Sequence, residues 1–128
     1  MAGYNATLKD GREIFIPSWP VDVALENLTR AGQYIGSEAI ITISELNVAA
    51  VVVAIMKSTD PNKTASLIKH FVCQVRIAGS KIEPNQIDEM FTGGEGLGQV
   101  AEIFAHVIKA QYADFFAFGL AGEPSQEV

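Results

Sequence analysis

A chain of 128 residues, 48% of them hydrophobic, is long enough for one core that buries about two-thirds of the surface its unfolded form exposes, and too short to expect two. A net charge of −6 and a pI near 4.8 exclude a nonspecific affinity for nucleic acid, which comes from Lys and Arg neutralising phosphates and releasing counterions. The acidity is uneven: residues 1–81 hold eight Lys/Arg against seven Asp/Glu, whereas residues 82–128 hold Lys109 alone against eight acids.

The single cysteine, Cys73, falls inside an apolar helical pattern, so no intramolecular disulfide can form and a reducing compartment such as the cytosol is expected. Met1 to Asn5 offer neither a basic start nor an apolar run of the kind a secretory signal requires. The longest apolar run, Val48 to Met56, has nine residues, about half of what a bilayer-spanning helix needs. No membrane partner is expected.

In chain order, Tyr4 to Leu8 and Glu13 to Ile16 flank Lys9-Asp10-Gly11-Arg12, and Asp-Gly between β-prone runs predicts a tight hairpin turn because Gly tolerates positive φ. Pro17 ends the pairing by removing a donor, and Ser18-Trp19-Pro20 starts a helix over Val21 to Tyr34. Its positions Val21, Ala24, Leu25, Leu28, Ala31 and Ile35 recur at three- and four-residue intervals and are expected to face inward. Ser37 to Ile43 reads either as a β-branched strand or as a helix, and the helix is preferred. Ser44 to Asn47 leads into a helix through Lys57, apolar on nearly all sides and therefore expected at the centre. Asp60-Pro61 caps the next helix, whose stripe Leu67, Ile68, Phe71, Val72 and Val75 is flanked by Lys63, Lys69, Arg76 and Lys81; it is expected to run to Gly79-Ser80. Glu83 to Phe91 forms a short acidic helix, its carboxylates suited to the positive dipole end. Thr92 to Gly96 breaks the chain. A last helix from about Leu97 to Phe118 then buries Val100, Ile103, Phe104, Val107, Ile108 and Phe115, with Gln99, Glu102, His106 and Lys109 on a solvated face. The fold expected is mainly α, an N-terminal β-hairpin followed by a compact bundle of about four to five helices. Residues 1–121 form a single domain (1–17 hairpin, 18–118 helical body) and 122–128 a flexible tail.

The constellations that might carry chemistry fail on spacing. Gly94-x-Gly96-x-Gly98 lacks the longer spacing of a dinucleotide fingerprint and the Gly-Lys-Ser/Thr of a P-loop. His70 and Cys73 lie on adjacent helical turns, yet a structural zinc site needs four ligands, and the only other histidine is His106. Glu102 and His106 stand at i,i+4 without the repeated Glu-x-x-His of a di-iron bundle. Asp88 and Glu89 are neighbours and diverge by about 100° on a helix, so they do not face each other as hydrolytic carboxylates do. No nucleophile elbow is present. The expectation is a protein without catalytic residues, cofactor or metal. Ile43 to Val48 resembles a helix-turn-helix, but Ala49 to Met56 is too apolar to read base edges. The basic helix and the acidic last third are expected to satisfy each other, within the fold or across a subunit contact.

The order of pieces resembles the tail assembly chaperones of long-tailed bacteriophages. The features that carry it are the strand-turn-strand around Leu8-Lys9-Asp10-Gly11-Arg12-Glu13, the helical body, the late segment Ile87-Asp88-Glu89-Met90-Phe91-Thr92-Gly93, and a final helix closing on Tyr112-Ala113-Asp114-Phe115-Phe116. Ala110-Gln111-Tyr112 departs from the Val-Asn-Tyr/Phe expected before that aromatic ending. The resemblance implies a protein that acts in the host cell cytoplasm during tail morphogenesis and is absent from the mature virion. It also implies that the protein coats the helical tape measure protein until tube subunits replace it, and that a frameshifted longer form exists.

A carrier of that kind needs an apolar groove with a charged rim that binds weakly per site but many times over, and its self-association into a homo-oligomer would add avidity. Met and Phe clustered beside glycines place the expected contacts at Ile87, Met90, Phe91, Phe115 and Phe116. The competing readings are a structural tail or head-tail connector protein, and a small acidic inhibitor of a host protein.

Overall fold

The computed structural model describes residues 3–121, so the expected tail of 122–128 lies outside the described residues. Strands β1 (Gly3–Thr7) and β2 (Glu13–Pro17) form the N-terminal antiparallel hairpin, paired from Gly3 with Pro17 to Thr7 with Glu13. Gly11 takes the turn at φ +96°. Asp10 closes it, its carboxylate accepting from the Arg12 backbone N–H at 3.0 Å and from Arg12 Nε at 2.8 Å. These contacts, the backbone donor first, hold the Asp10 pKa below its ordinary value.

Six α-helices follow among the described residues: α1 (Val21–Tyr34), α2 (Ser37–Ile43), α3 (Val48–Lys57), α4 (Pro61–Val72), α5 (Ile87–Met90) and α6 (Gly93–Phe116). The mainly α fold with an N-terminal hairpin is as expected, and the ambiguous 37–43 segment is helical. Asn47 caps α3 by accepting from the Ala50 N–H, and Asp60 caps α4 by accepting from the Lys63 N–H, each at 3.1 Å. Pro61 occupies the first turn of α4, where no intrahelical donor is needed.

The basic helix stops seven residues short of the expected Gly79. After Val72 the chain turns, and Arg76–Ile77 becomes β3, pairing with Phe15 and Ile14 of β2. Ala78 (φ +54°) and Gly79 (φ +82°) make a two-residue reversal into β4 (Ser80–Lys81), giving a four-stranded antiparallel sheet in the order β1-β2-β3-β4. Val75 is fully buried, so the apolar stripe continues as expected, but in extended chain. The open edge of β2 offers ladder hydrogen bonds that helical periodicity does not reveal.

The core joins Ile14 and Ile16 of the sheet, Ile40 and Ile43 of α2, Val51 of α3, Phe71 and Val72 of α4, and Ile103 to Ile108 of α6. Trp19 meets Phe71 edge-on (5.1 Å between ring centres, 87°), and Phe71 packs on Phe104 at 5.2 Å. Two helices bury less than expected. On α1, Val21 and Leu25 are exposed while Asn27 and Ala31 are buried. On α3, only Val51 and Ala54 are buried, whereas Val52, Val53, Ile55 and Met56 are exposed. The most apolar helix therefore lies at the surface rather than the centre.

The glycines at 93–98 do not break the chain but form the first turns of α6. Gly93 adopts φ +69°, and a Cβ on Gly96 would lie 2.6 Å from the Phe91 carbonyl carbon, so only glycine lets α6 start this close to Phe91. Gly98 is exposed, and a Cβ there would meet nothing within 4 Å. Gly96→Ala should therefore destabilise by about 1–3 kcal/mol through overpacking. Gly98→Ala should stabilise by about 0.5–1 kcal/mol through helix propensity. Urea unfolding of the two variants checks the opposite signs.

Candidate functional site

The first turns of α6 run beside α4 and α5 and leave between them an apolar groove of about 330 Å3. Ala65 and Ile68 of α4, Ile87 of α5, Phe91, and Val100 and Ala101 of α6 line it, and Ile55 and Leu97 stand at its mouth. Ile55 is 40% exposed and Leu97 71% exposed. Exposed Val52 neighbours Ile55 and Met56, three and four residues further along α3. The groove thus opens onto an exposed aliphatic helix face.

Its rim is ionic. Lys69 on α4 and Asp88 on α5 approach to 3.7 Å with both side chains at least half exposed, so the pair is weak and readily exchanged for other partners. Among the described residues this is the one ion pair joining the basic 61–81 segment to the acidic last third. Most of the expected mutual neutralisation is absent, and Glu89 and Glu95 remain exposed near the groove.

The expected contact residues separate into two groups. Ile87 and Phe91 are 4% and 8% exposed and serve as groove wall, while Met90 between them is 38% exposed and is not part of the groove lining. Phe115 and Phe116 lie at the far end of α6. Its 24 residues span about 36 Å at 1.5 Å per residue. Phe115 is 53% exposed, contrary to its expected place on the buried face, because the core ends near Tyr112. Phe116 packs on Tyr112 (6.1 Å) and on Phe115 (5.8 Å). Phe118, in the π-helical turn Ala117–Ala121, is 81% exposed. Sequence reasoning did not single out Ile55, Met56 or Leu97; an unbroken aliphatic helix signals burial unless its neighbours are known.

The row Gln99, Glu102, His106 and Lys109, expected to face solvent, instead forms the seam against the hairpin. Glu102 accepts from the Lys9 N–H (3.0 Å), Gln99 donates to Asp10 (2.9 Å), and Lys109 lies over the Tyr4 ring. His106 is 5% exposed, with Nε2 4.0 Å from Glu102 and Nδ1 lacking a partner among the described residues. Burial foremost, and the Lys109 charge second, push its pKa below 6.5. Both influences favour the neutral imidazole, and the 4.0 Å to Glu102 is too long for a hydrogen bond. Cys73 is buried, which raises its thiol pKa. Among the described residues no cluster of three or more His, Cys, Asp or Glu is placed to hold a metal, and no helix is long and apolar enough to cross a membrane.

A small helical protein with an apolar groove, an exposed aliphatic helix face and an ionic rim has the features of one that holds apolar segments of a partner. The family model described as "phage tail assembly chaperone protein, TAC" matches residues 10–122, and the chain belongs to that family. No curated protein and no solved structure matches it. Its role is accordingly that of a tail assembly chaperone, with tail proteins as partners.

Protonating His106 must disfavour the folded state. Between the ordinary imidazole pKa of 6.5 and the lowered native value, the unfolded chain binds a proton that the folded chain does not, so stability is full above that window and falls as pH drops through it. His70 is shifted the same way, so the difference between parent and His106→Gln isolates His106. The thermal midpoint of the variant should fall less steeply between about pH 7 and 5; parallel slopes would remove His106 as the cause.

Proposed function

We propose that this chaperone binds the tape measure protein, with the groove between α4, α5 and α6 taking apolar side chains from one face of a tape measure helix. The observation that carries the reading is that the groove is lined by exposed Ile55 and Leu97. An amphipathic helix laid along such a surface places anchors at i, i+3, i+4 and i+7 into the groove, and its polar face stays in water. Ile87 and Phe91 act as wall, Met90 and the α3 face as adaptable contacts, and Phe115 and Phe116 lie too far along α6 to join the same helix turn.

Repeated weak sites along a long partner keep its apolar faces covered, yet release one at a time when tail subunits compete. Self-association of the chaperone into a homo-oligomer adds to that avidity. Such a carrier works in the host cell cytoplasm and leaves before the virion matures. Support for residues 1–121 as one domain is the single core that links hairpin and helices. Nothing in the groove favours a structural tail or connector role, or an inhibitor, over this reading.

Ile55→Asp/Leu97→Asp alters exposed positions and should fold, as circular dichroism will report. Co-expressed with the tape measure protein, the parent should yield a soluble many-to-one complex and the variant at least ten-fold less co-purified partner. Undiminished recovery by a folded variant overturns the groove as the binding site.

A further inference from the structure

Where the hairpin turn meets α3 and α6, Lys9, Glu45, Val48, Glu102 and His106 help to line a second pocket, of about 480 Å3. The Glu102 and His106 side chains in it are only 12% and 7% exposed. Among the described residues Glu102 accepts one hydrogen bond, from the Lys9 backbone N–H, where a carboxylate can take about four. His106 Nδ1 has no partner among them, and its Nε2 stands 4.0 Å from Glu102 Oε2, beyond hydrogen-bond reach. Neither nearby ammonium fills the gap. Lys109 lies over the Tyr4 ring, and neither it nor Lys9 forms an ion pair among the described residues.

The geometry names the missing donor. With its proton on Nδ1, a neutral imidazole presents Nε2 as an acceptor beside the carboxylate, and burial foremost, then the Lys109 charge, favours that neutral ring. Two acceptors that share one tetrahedral nitrogen at about 2.9 Å each stand about 4–5 Å apart. The 4.0 Å spacing therefore suits an ammonium nitrogen, whereas the planar fork of a guanidinium spans the two oxygens of one carboxylate. We propose that this pocket takes the ammonium group of a lysine side chain on the partner protein, which donates to Glu102 and His106 together. Exposed Glu45 adds a second carboxylate to the lining. Val48, Val52 and Ile55, at i, i+4 and i+7 on one face of α3, lead from this pocket, which Val48 lines, to the apolar groove, which Ile55 lines. Those seven residues cover about 10 Å, so a partner helix aligned with α3 carries its lysine about two turns from the side chains that fill the groove. That register rests on the tape measure reading; the chemistry of the pocket does not.

The test compares Glu102→Gln, which keeps a carbonyl for the Lys9 N–H but removes the charge, with Glu13→Gln, the same change at an exposed position on β2. Circular dichroism checks that both fold. Each is co-expressed with the tape measure protein, and the recovered complexes are treated with an amine-acetylating reagent and read by mass spectrometry. In complexes of the parent and of Glu13→Gln, at least one tape measure lysine should be protected roughly ten-fold, the worth of about one charge-assisted hydrogen bond. That protection should disappear with Glu102→Gln, along with part of the recovered partner. A folded Glu102→Gln complex that protects the same lysines overturns the proposal, as does a parent complex in which no tape measure lysine is protected. A loss shared by Glu13→Gln assigns the effect to net charge and overturns it too. Partner lost by Ile55→Asp/Leu97→Asp but held unchanged by Glu102→Gln keeps the groove and removes the lysine pocket, and the reverse keeps the pocket and removes the groove. A parent that forms no complex overturns both readings.

Discussion

The burial of the middle of α6 on all sides is the constraint on which the rest of the molecule depends. Ile103, Phe104, Ala105, His106, Val107 and Ile108 form six consecutive buried positions, so every direction around that stretch must be covered by another element. The sheet covers one side, α2 and α3 a second, and α4 a third. At about 1.5–3 kcal/mol for each large apolar side chain removed from water, this burial outweighs the polar contacts around it, worth about 0.5–1.5 kcal/mol each.

Those polar contacts decide orientation instead. Gln99 and Glu102 hold the hairpin turn. Gln111 accepts from the Trp19 N–H and donates to the Pro17 carbonyl, and the Tyr112 hydroxyl donates to the Ala24 carbonyl at the start of α1. Together they run along much of one side of α6 and set the register of hairpin and α1 against it. His106 sits in the same seam with its Nδ1 unpartnered among the described residues, so the seam suits an unprotonated ring better than an added charge. With the middle of α6 held so firmly, its two ends project beyond the core, and there the large exposed apolar residues Leu97, Phe115 and Phe118 occur.

Local chemistry was legible in the sequence where short-range rules act alone. Asp10-Gly11 specified the hairpin, Asp60 marked a helix start, and three- and four-residue spacing located α1 to its observed limits. Tertiary competition hid the remainder. Nothing local distinguishes Val75 on a helix from Val75 leading into a strand; the pairing of Ile77 with Ile14 decides it. The glycines at 93–98 looked like a hinge because propensity penalises them, whereas contact with Phe91 requires Gly96. Ile87 and Phe91 of the groove wall had been named from the late acidic segment, whereas on α4 Ile68 was expected only as part of the core stripe and Ala65 was not singled out. Ile55 and Met56 were missed because a wholly aliphatic helix signals a central position, and only the packed structure shows which of its faces is left over.

That leftover face also bounds how the chaperone can work. A groove of about 330 Å3 admits two or three side chains, a gross gain of about 3–9 kcal/mol at the usual cost of apolar exposure. Association costs about 4–15 kcal/mol in lost translational and rotational freedom, so one groove alone holds a helix briefly at best. On the proposed reading affinity comes from linkage, many grooves on one long partner, where each further contact is intramolecular and largely spared that cost. Weakness of the single site is then what makes removal possible. A competitor need only displace one contact at a time, while a deeper pocket would retain the partner. The net charge of −6 works in the same direction, since mutual repulsion opposes indiscriminate association of copies through exposed Met56, Leu97 and Phe118.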